Sequence, residues 1–267
     1  MALMLKSTLL FLVAVLIAPS LLQAGPLTEA QVTKIINDVR VIDPAKGVHP
    51  ATINEKIRDE IGLKTGLKSR SELLFQDNTL TRIGPETSFT LQAGTRDLTL
   101  KEGTMLLQVP KGLGGAKIRT AAVTAALTGT TIIVEYKHAK HIKVLVLEGS
   151  LRLSVNGTPG DSVLLKAGRM VLMHPDAKRI PAPVTVDLRH VMQTSSLVKM
   201  AKKGKQPLPS AGLIAREIEK QDHERGKGGL IETNIATSDY GTDVEERELR
   251  GLVRQPDDSE IGFSRHH

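Results

Sequence analysis

Residues 117–136, which read KIRTAAVTAALTGTTIIVEY, constrain the fold more than any other stretch of the chain. Two runs of small, β-branched and aliphatic residues, 118–127 and 130–134, are joined at Gly129, which has a threonine on either side. Such runs, punctuated by a glycine, are typical of buried β-strands that meet at a bulge or corner. A glycine suits a corner because it tolerates a positive φ and a close approach of the backbone. The stretch therefore predicts core strands, and none of its side chains indicates chemistry.

The pattern of strand, glycine corner and strand recurs through residues 80–173. In one of these strands Leu151, Leu153 and Val155 alternate with Arg152 and Ser154, which indicates a strand with one buried face. The corner glycines follow one another at intervals of about 20 residues, which suits successive hairpins of a sandwich or roll as well as a short solenoid-like stack. We therefore predict an all-β fold with these three arrangements open. The predicted corners are Gly84, Gly103, Gly129, Gly149 and Gly168.

Two further stretches predict strand pairs. Residues 31–43 are rich in β-branched residues, which favours two strands with a turn at Asn37 and Asp38. Residues 66–89 indicate a hairpin with strands at 71–75 and 80–83. Its turn at 76–78 contains Asp77 and Asn78, and such residues tolerate left-handed backbone and bond their own amides.

Residues 1–24 have the features of a secretory signal peptide: a lone Lys6, an apolar run at 9–18, and the small residue Ala24 at the expected cleavage point. The alternative is an uncleaved membrane anchor, but the run is shorter than the ~20 apolar residues that a span needs, and Pro19 interrupts it. We expect an exported protein of the periplasm or cell envelope, or a secreted one, with no transmembrane span after signal cleavage.

Beyond residue 185 the pattern changes from strands to short helices. Asp187 and Ser210 are suited to cap two helices, the second of which extends to about Arg225. We therefore divide the chain into a signal peptide at 1–24, a β domain at 25–185, short helices and a linker at 186–230, and a flexible charged tail at 231–267.

The composition argues against several functional classes. Aromatic residues make up only 2% of the chain, so stacking platforms for single-stranded nucleic acid are nearly absent. The chain has no cysteine, which excludes disulfides, thiolate nucleophiles and cysteine-based zinc sites. The net charge is +7, and residues 201–267 carry 11 Lys and Arg against 13 Asp and Glu, so the positive excess lies in the preceding body. A basic body suits anionic neighbours such as polymers or membrane surfaces.

Over about 140 residues, 34–173, the chain resembles the FecR domain family. The resemblance rests on the order and spacing of five pieces: TGLKSRSELLFQDNTLTRIGPETSF (65–89), EGTMLLQV (102–109), IRT leading to TGTTIIVE (118–120 and 128–135), VLVLEGSLRLS (144–154) and LLKAGRMV (164–171). We assign the matching residues structural roles. They are Gly66, Ser69, Arg70, Glu72, Leu73, Asp77, Arg82, Gly84, Gly103, Thr120, Gly129, Thr130, Glu148, Gly149 and Gly168.

The resemblance implies an all-β domain outside the cytoplasm, known in sensors that relay the occupancy of an outer-membrane iron transporter to a cytoplasmic sigma factor. Those regulators have a cytoplasmic anti-sigma segment and a transmembrane helix before the domain, and often a secretin/TonB-type domain after it. Here the leader runs straight into the β domain, which is followed by a charged tail. We therefore do not extend iron signalling to this chain. Asn78 stands where the family usually has glycine, a tolerable change in a left-handed position.

Candidate chemical groups are few. His138 and His141 could ligate a metal, but no acidic residue or cysteine lies between them and the loop is rich in lysine. Glu72 and Asp77 could act as paired carboxylates in glycoside hydrolysis, although cross-strand pairing of Glu72 with an arginine, Arg70 or Arg82, is favoured.

Arg70 with Ser69 and Ser71 could also hold an anion. No nucleophile-elbow, phosphate-loop, dinucleotide-binding or zinc-protease motif occurs in the sequence. We therefore assign no catalytic, cofactor-binding or metal-binding residue and expect no cofactor.

These observations favour a non-enzymatic, exported FecR-like protein that serves as a binding or scaffold module in the cell envelope. Two alternatives remain open: an extracytoplasmic signalling component that contacts a membrane partner, and a carbohydrate- or polymer-binding module. The expected partner is an envelope protein or an anionic envelope polymer, and not a nucleic acid.

Overall fold

The computed structural model describes residues 25–200 and 208–227. The predicted signal peptide at 1–24, the predicted tail at 231–267 and parts of the predicted linker lie outside the described residues. The domain boundaries therefore stay a prediction.

The described residues form seventeen strands and two helices, because β-branched and aliphatic runs dominate up to residue 173. The strands are β1 (Glu29–Ile36), β2 (Val39–Asp43), β3 (Gly47–Pro50), β4 (Lys56–Arg58), β5 (Gly62–Thr65), β6 (Arg70–Phe75), β7 (Leu80–Ile83), β8 (Ser88–Leu91), β9 (Asp97–Gln108), β10 (Gly115–Arg119), β11 (Val123–Thr128), β12 (Thr131–Lys137), β13 (His141–Glu148), β14 (Ser150–Val155), β15 (Ser162–Lys166), β16 (Arg169–Met173) and β17 (Val184–Thr185). The helices are α1 (Leu188–Thr194) and α2 (Ala211–Gly226).

Hydrogen bonding divides these strands between two sheets that share β9. Sheet A has the order β4, β1, β6, β7, β9, β12, β13, β16, β17. Sheet B has the order β3, β2, β5, β8, β9, β10, β11, β14, β15. Neighbouring strands are antiparallel, with the exception of β9 and β10. The all-β prediction is confirmed, and the two sheets stack as a sandwich of bent hairpins.

The chain passes from one sheet to the other at the predicted corners. Within β9, Glu102 pairs in sheet B and Gly103 pairs in sheet A. Gly103 has a φ of +99°, and a Cβ there would lie 2.4 Å from the Cα of Thr87, so glycine is required. The corners at Gly129, Gly149 and Gly168 also have positive φ values. The prediction that Gly84 forms a corner needs correction. The residue with a positive φ at that corner is Glu86.

Two local predictions are wrong. β1 and β2 do not pair with each other, because β1 lies in sheet A and β2 in sheet B, and Asn37, with a φ of 57°, lies at the corner between them. Residues 118–127 are not one strand but parts of the β10–β11 hairpin. The Thr120 hydroxyl accepts hydrogen bonds from the N–H groups of Ala122 and Val123 and thereby fixes the turn.

The main hydrophobic core lies between the two sheets, and a second apolar layer covers the outer face of sheet A. In the second layer, Ile133 and Leu145 of sheet A cluster with Val191, Leu197 and Ile214 of the C-terminal part. The alternation of side chains along β12 and β13 places apolar residues on both faces, so sheet A is buried on two sides. This arrangement makes the outer face of sheet A the place where buried polar groups and the C-terminal part meet.

The two helices start where predicted, but only one has the predicted cap. Asp187 precedes α1, and its carboxylate accepts a hydrogen bond from the His190 N–H. Ser210 precedes α2 without a side-chain capping bond, and its Oγ lies 2.7 Å from the Thr131 Oγ1. The cap prediction for Ser210 is therefore wrong, because its hydroxyl anchors the start of α2 to β12. No helix within residues 25–200 or 208–227 has the length and apolar character needed to cross a membrane.

Candidate functional site

Three charged residues of the family motif lie on the outer face of sheet A, and the others mainly fix the fold. Arg70 and Glu72 lie on β6, and Arg82 lies on the neighbouring strand β7. Leu73, the residue after Glu72 on β6, faces the core and is fully buried. The sequence groups these residues in one hairpin, and the alternation of the strands separates the polar face from the apolar one.

Glu72 and Arg82 form a buried ion pair at the centre of this face. They are direct partners across β6 and β7, and the Arg82 Nε donates to the Glu72 Oε2 at 2.7 Å. Only 1% of the Arg82 side chain and 8% of the Glu72 side chain are exposed. The other carboxylate oxygen of Glu72 accepts from the Thr33 hydroxyl at 2.9 Å. Every oxygen of the carboxylate is therefore satisfied, as a buried charge requires.

Arg82 also holds the segment at residues 195–200. Its Nη1 donates to the carbonyl oxygens of Leu197 and Val198 at 2.9 Å. Arg70 donates to the Ser196 hydroxyl, and the Lys34 ammonium donates to the Met200 carbonyl. Three cations on β1, β6 and β7 thus bind one short segment, a turn, through three backbone carbonyls and one side-chain hydroxyl.

The paired-carboxylate and anion-cradle hypotheses find no support in this geometry. The Asp77 carboxylate lies in the β6–β7 turn, where it accepts from the Thr79 N–H and from the Arg96 guanidinium at 2.7 Å. Glu72 is neutralised separately by Arg82. Asn78 has a φ of 63°, as expected for this turn.

Ser69, Ser71 and Arg70 do not converge on one point. Ser69 is buried at a corner where its Oγ accepts from the Asp38 N–H, and the neighbouring Gly66 N–H donates to the Asp38 carbonyl. The Ser71 hydroxyl donates to the Lys34 carbonyl, away from the corner. These side chains serve the backbone and leave no shared anion site.

The remaining motif residues also support corners. The Thr130 hydroxyl, beside Gly129, donates to the Ser150 carbonyl at 2.8 Å, which ties together two successive corners. The Gly84 N–H donates to the Thr104 carbonyl. Glu148, at the corner before Gly149, is buried, and the Lys111 ammonium lies 2.8 Å from its Oε1.

A groove of about 770 Å³ lies on the outer face of sheet A, between the strands and the start of α2. Most of the surface inside it is apolar, and two ion pairs are among its lining residues: Glu72 with Arg82, and Glu148 with Lys111. A volume of this size is within the range of ligand-binding clefts. The lining residues are Thr33, Glu72, Leu74, Asn78, Leu80, Arg82, Gln108, Val109, Pro110, Lys111, Glu148, Pro209, Ser210 and Leu213.

Gln108 is the residue of this groove that sequence reasoning missed. It lies at the end of β9, is 6% exposed, and its Oε1 is buried with no hydrogen-bond partner in the described part of the chain. An unpaired buried acceptor is destabilising, so a native structure that retains one calls for an explanation. The sequence feature that could have indicated it is a glutamine directly after the apolar Leu106 and Leu107, at a position of β9 whose side chain points outward.

A second buried charge cluster, also missed by sequence reasoning, lies further along the same face. The Glu135 carboxylate on β12 faces Lys143 and His141 on β13, at 2.8 Å from the Lys143 Nζ and 3.1 Å from the His141 Nε2. The 2.8 Å contact is an ion pair rather than a well-directed hydrogen bond. Burial raises the pKa of Glu135, but the Lys143 charge and the His141 contact outweigh burial and lower this pKa to about 2.

The contacts of His138 and His141 do not support the hypothesis that these two residues bind a metal together. His141 contacts Glu135, whereas the His138 Nδ1 lies 3.3 Å from the Tyr136 hydroxyl, so the two histidines have different partners. In the described ranges, no three side chains of His, Asp or Glu come together as metal ligands would.

Comparison with known proteins relates part of the chain to one protein family. Residues 62–152 match the model of the FecR protein family. No curated protein sequence matches the chain. Two solved structures with similarity to it are both crystal structures of a candidate anti-sigma factor from Parabacteroides distasonis.

The first of these structures is 15% identical, with a TM-score of 0.42, and the match covers 49% of this chain and 62% of that one. This chain thus spans less than two thirds of that structure. The second is 13% identical, with a TM-score of 0.44, and the match covers 72% of this chain and 89% of that one. The resemblance inferred from the motifs is confirmed for residues 62–152, which are the part of the chain that matches the FecR family model.

Proposed function

We propose that this protein is a non-enzymatic FecR-domain binding module of the cell envelope, and that its groove on sheet A binds a peptide segment of an envelope protein. The observation that carries the proposal is a largely apolar groove of about 770 Å³ lined by Gln108, whose buried Oε1 has no partner in the described part of the chain. A peptide N–H would supply the missing donor, and apolar side chains of the same peptide would fill the walls.

The neighbouring part of the same face supports a peptide as the bound species. Residues 195–200 lie there as a turn, in which the Lys199 N–H donates to the Ser195 carbonyl, and Arg82 donates to two of their carbonyl oxygens. Arg82 and Glu72 also line the groove. A partner segment bound in the groove would therefore lie next to the same arginine that holds residues 197 and 198.

The charges of the groove support binding rather than turnover. Glu72 is paired with Arg82, and Glu148 is paired with Lys111. General acid and base catalysis needs a carboxyl group that can exchange a proton with a substrate, and these carboxylates are held in ion pairs. The place of action, the envelope, is proposed from the leader at residues 1–24.

The test is an affinity measurement with a captured partner. The protein is crosslinked and enriched from its own cell envelope, the captured protein is purified, and its Kd is measured for the wild type, Gln108→Leu and Thr81→Val. We expect Gln108→Leu to weaken binding about three- to tenfold, because one hydrogen bond is lost. Thr81 is the matched control, because its Oγ1 is also buried and unpaired but it does not line the groove.

Equal affinities of the wild type and Gln108→Leu would contradict the proposal, as would an envelope extract that yields no bound protein. A loss of affinity in Thr81→Val of the same size would show that the effect of Gln108→Leu is not specific to the groove, and would also contradict the proposal.

A signalling role is the second candidate, and the wall of the groove favours it. Pro209, Ser210 and Leu213, at the start of α2, form that wall, so an occupant would contact the helix that precedes the C-terminal tail. Deletion of residues 231–267 tests this role: a signalling component loses its membrane partner in pull-downs while the groove keeps its affinity. Unchanged recovery of the membrane partner would count against it.

A further inference from the structure

The outer face of sheet B carries a second, separate surface. The helices pack on sheet A, and the outward side chains of sheet B are exposed or half-exposed. They are mostly threonine, serine, lysine and arginine. This composition differs from that of the apolar groove on the opposite side of the sandwich.

Hydroxyl side chains dominate one row of aligned residues across six strands of this face. The strand registers align one residue from each of β8, β9, β10, β11, β14 and β15, and five of the six are Thr or Ser. At a spacing of about 4.8 Å between strands, the row is about 24 Å long. Its members are Thr90, Thr99, Arg119, Thr124, Ser154 and Ser162.

A row of mixed charge runs beside the hydroxyl row. It aligns Asp97, Lys117, Ala126, Arg152 and Leu164 across β9, β10, β11, β14 and β15. The carboxylate of this row, Asp97, is neutralised by Arg119 at 2.7 Å. Two strand spacings separate Lys117 from Arg152, which is about 10 Å.

The positive charge of the face is largely uncompensated. Five exposed cations on it form no ion pair with any residue in the described ranges: Lys64, Lys101, Lys117, Arg152 and Lys166. Unpaired cations spaced over one flat surface attract a polymer with repeated negative charges, because several weak contacts act together.

We propose that the outer face of sheet B binds an acidic polysaccharide, with Lys117 and Arg152 contacting its anionic groups and the hydroxyl row contacting its sugar hydroxyls. The proposal concerns a different surface from the groove and does not depend on it. The many hydroxyl groups of this face and its lack of aromatic side chains favour an acidic polysaccharide over other polyanions and over proteins.

Three alternative partners fit the face less well. Single-stranded nucleic acid needs aromatic platforms, and the outward residues of these strands include none. A membrane surface needs apolar side chains that insert, and the strongly exposed apolar residue among the two rows is Leu164. Protein interfaces are enriched in aromatic residues, and the outward rows lack them.

The test measures binding of the purified protein to polygalacturonate, with neutral dextran, duplex DNA and anionic lipid vesicles as the competing probes. The variant Lys117→Glu/Arg152→Glu is compared with Lys199→Glu/Arg216→Glu, which makes the same change in net charge on the opposite side of the sandwich. Lys199 and Arg216 are both exposed.

We expect binding to polygalacturonate and not to dextran, and at least about a tenfold loss of affinity in Lys117→Glu/Arg152→Glu. The Lys199→Glu/Arg216→Glu control should stay within about twofold of the wild type. A second variant, Thr99→Val/Ser154→Ala, should weaken binding to polygalacturonate about threefold without changing any binding to DNA.

Equal losses in the two charge-reversal variants would overturn the proposal, because net charge alone would then explain binding. Unchanged affinity of Thr99→Val/Ser154→Ala, or tighter binding to DNA or vesicles than to polygalacturonate, would also overturn it. All the substituted residues are exposed or half-exposed, so folding is checked by thermal unfolding of each variant.

Discussion

The Arg82 guanidinium joins two parts of the chain that lie more than a hundred residues apart. It is paired with Glu72 on the neighbouring strand at 2.7 Å, and it donates to the carbonyl oxygens of Leu197 and Val198 at 2.9 Å. The buried pair is therefore the polar centre of the outer face of sheet A. It fixes residues 195–200 beside the groove.

Removal of one partner of this pair should be strongly destabilising. We expect Arg82→Met to lower the free energy of unfolding by about 3–5 kcal/mol, because Glu72 would stay buried and charged without its partner. The double variant Glu72→Leu/Arg82→Met should lose less than the sum of the single variants. Urea unfolding of all four proteins measures this coupling, and additive losses would show that the two side chains act independently.

The Glu135 cluster predicts a loss of stability in acid. The pKa of Glu135 is about 2 in the folded protein, against 4.5 for an unperturbed glutamate, so the folded state binds fewer protons than the unfolded state between these values. The contribution is therefore fully present above about pH 4.5 and is lost as the pH falls toward 2, by a total on the order of 3 kcal/mol.

The measurement for Glu135 is the free energy of unfolding between pH 2 and 6, for the wild type and Glu135→Gln. We expect the difference between the two proteins to shrink steadily as the pH falls below 4.5. A constant difference over this range would show that Glu135 has an ordinary pKa in the folded protein.

The bend in β9 predicts different penalties for two glycines with positive φ. Gly103→Ala should destabilise the protein by about 3 kcal/mol or more, because its Cβ would overlap the Thr87 backbone. Gly157 has a φ of +74° with no atom within 4 Å of an added Cβ, so Gly157→Ala should lose only about 1 kcal/mol. Similar midpoints of thermal unfolding for the two variants would contradict the steric argument.

Strands and corners could be predicted from the sequence because their signals are local. β-Branched runs indicated the strands, glycines indicated the bends at Gly103, Gly129 and Gly149, and Asp77 with Asn78 indicated a turn. The assignment of strands to sheets could not be predicted, because β1 and β2 have the same periodicity whether they pair with each other or lie in opposite sheets. The hairpin at Thr120 was missed because a run of Thr and Ala contains no strong turn residue.

The site could be predicted only in part, for a related reason. The motif favoured pairing of Glu72 with Arg70 or Arg82 and left the choice open, and the burial of the observed pair with Arg82 depends on residues 195–200, which are distant in sequence. Gln108, Glu135 and Lys143 occupy positions that look like a solvent-facing phase of their strands. Their burial follows from the C-terminal layer on sheet A, which strand patterns alone do not indicate.

The unpaired acceptor of Gln108 predicts opposite effects on stability and binding. Gln108→Leu should raise the free energy of unfolding by about 1 kcal/mol, because a buried acceptor without a donor is removed. Thr81→Val should stabilise the protein for the same reason. Urea unfolding checks both, and a clear destabilisation by Gln108→Leu would mean that its side chain already has a partner.

The most direct test of the groove is site-specific photo-crosslinking in intact cells from two positions on α2. Leu213 lines the groove, whereas Ala215 is exposed and points about 200° away around the helix axis. The account predicts that a photoreactive residue at 213 crosslinks to one envelope protein and that the same residue at 215 does not. Equal crosslinking from both positions, or none from 213, would contradict the account.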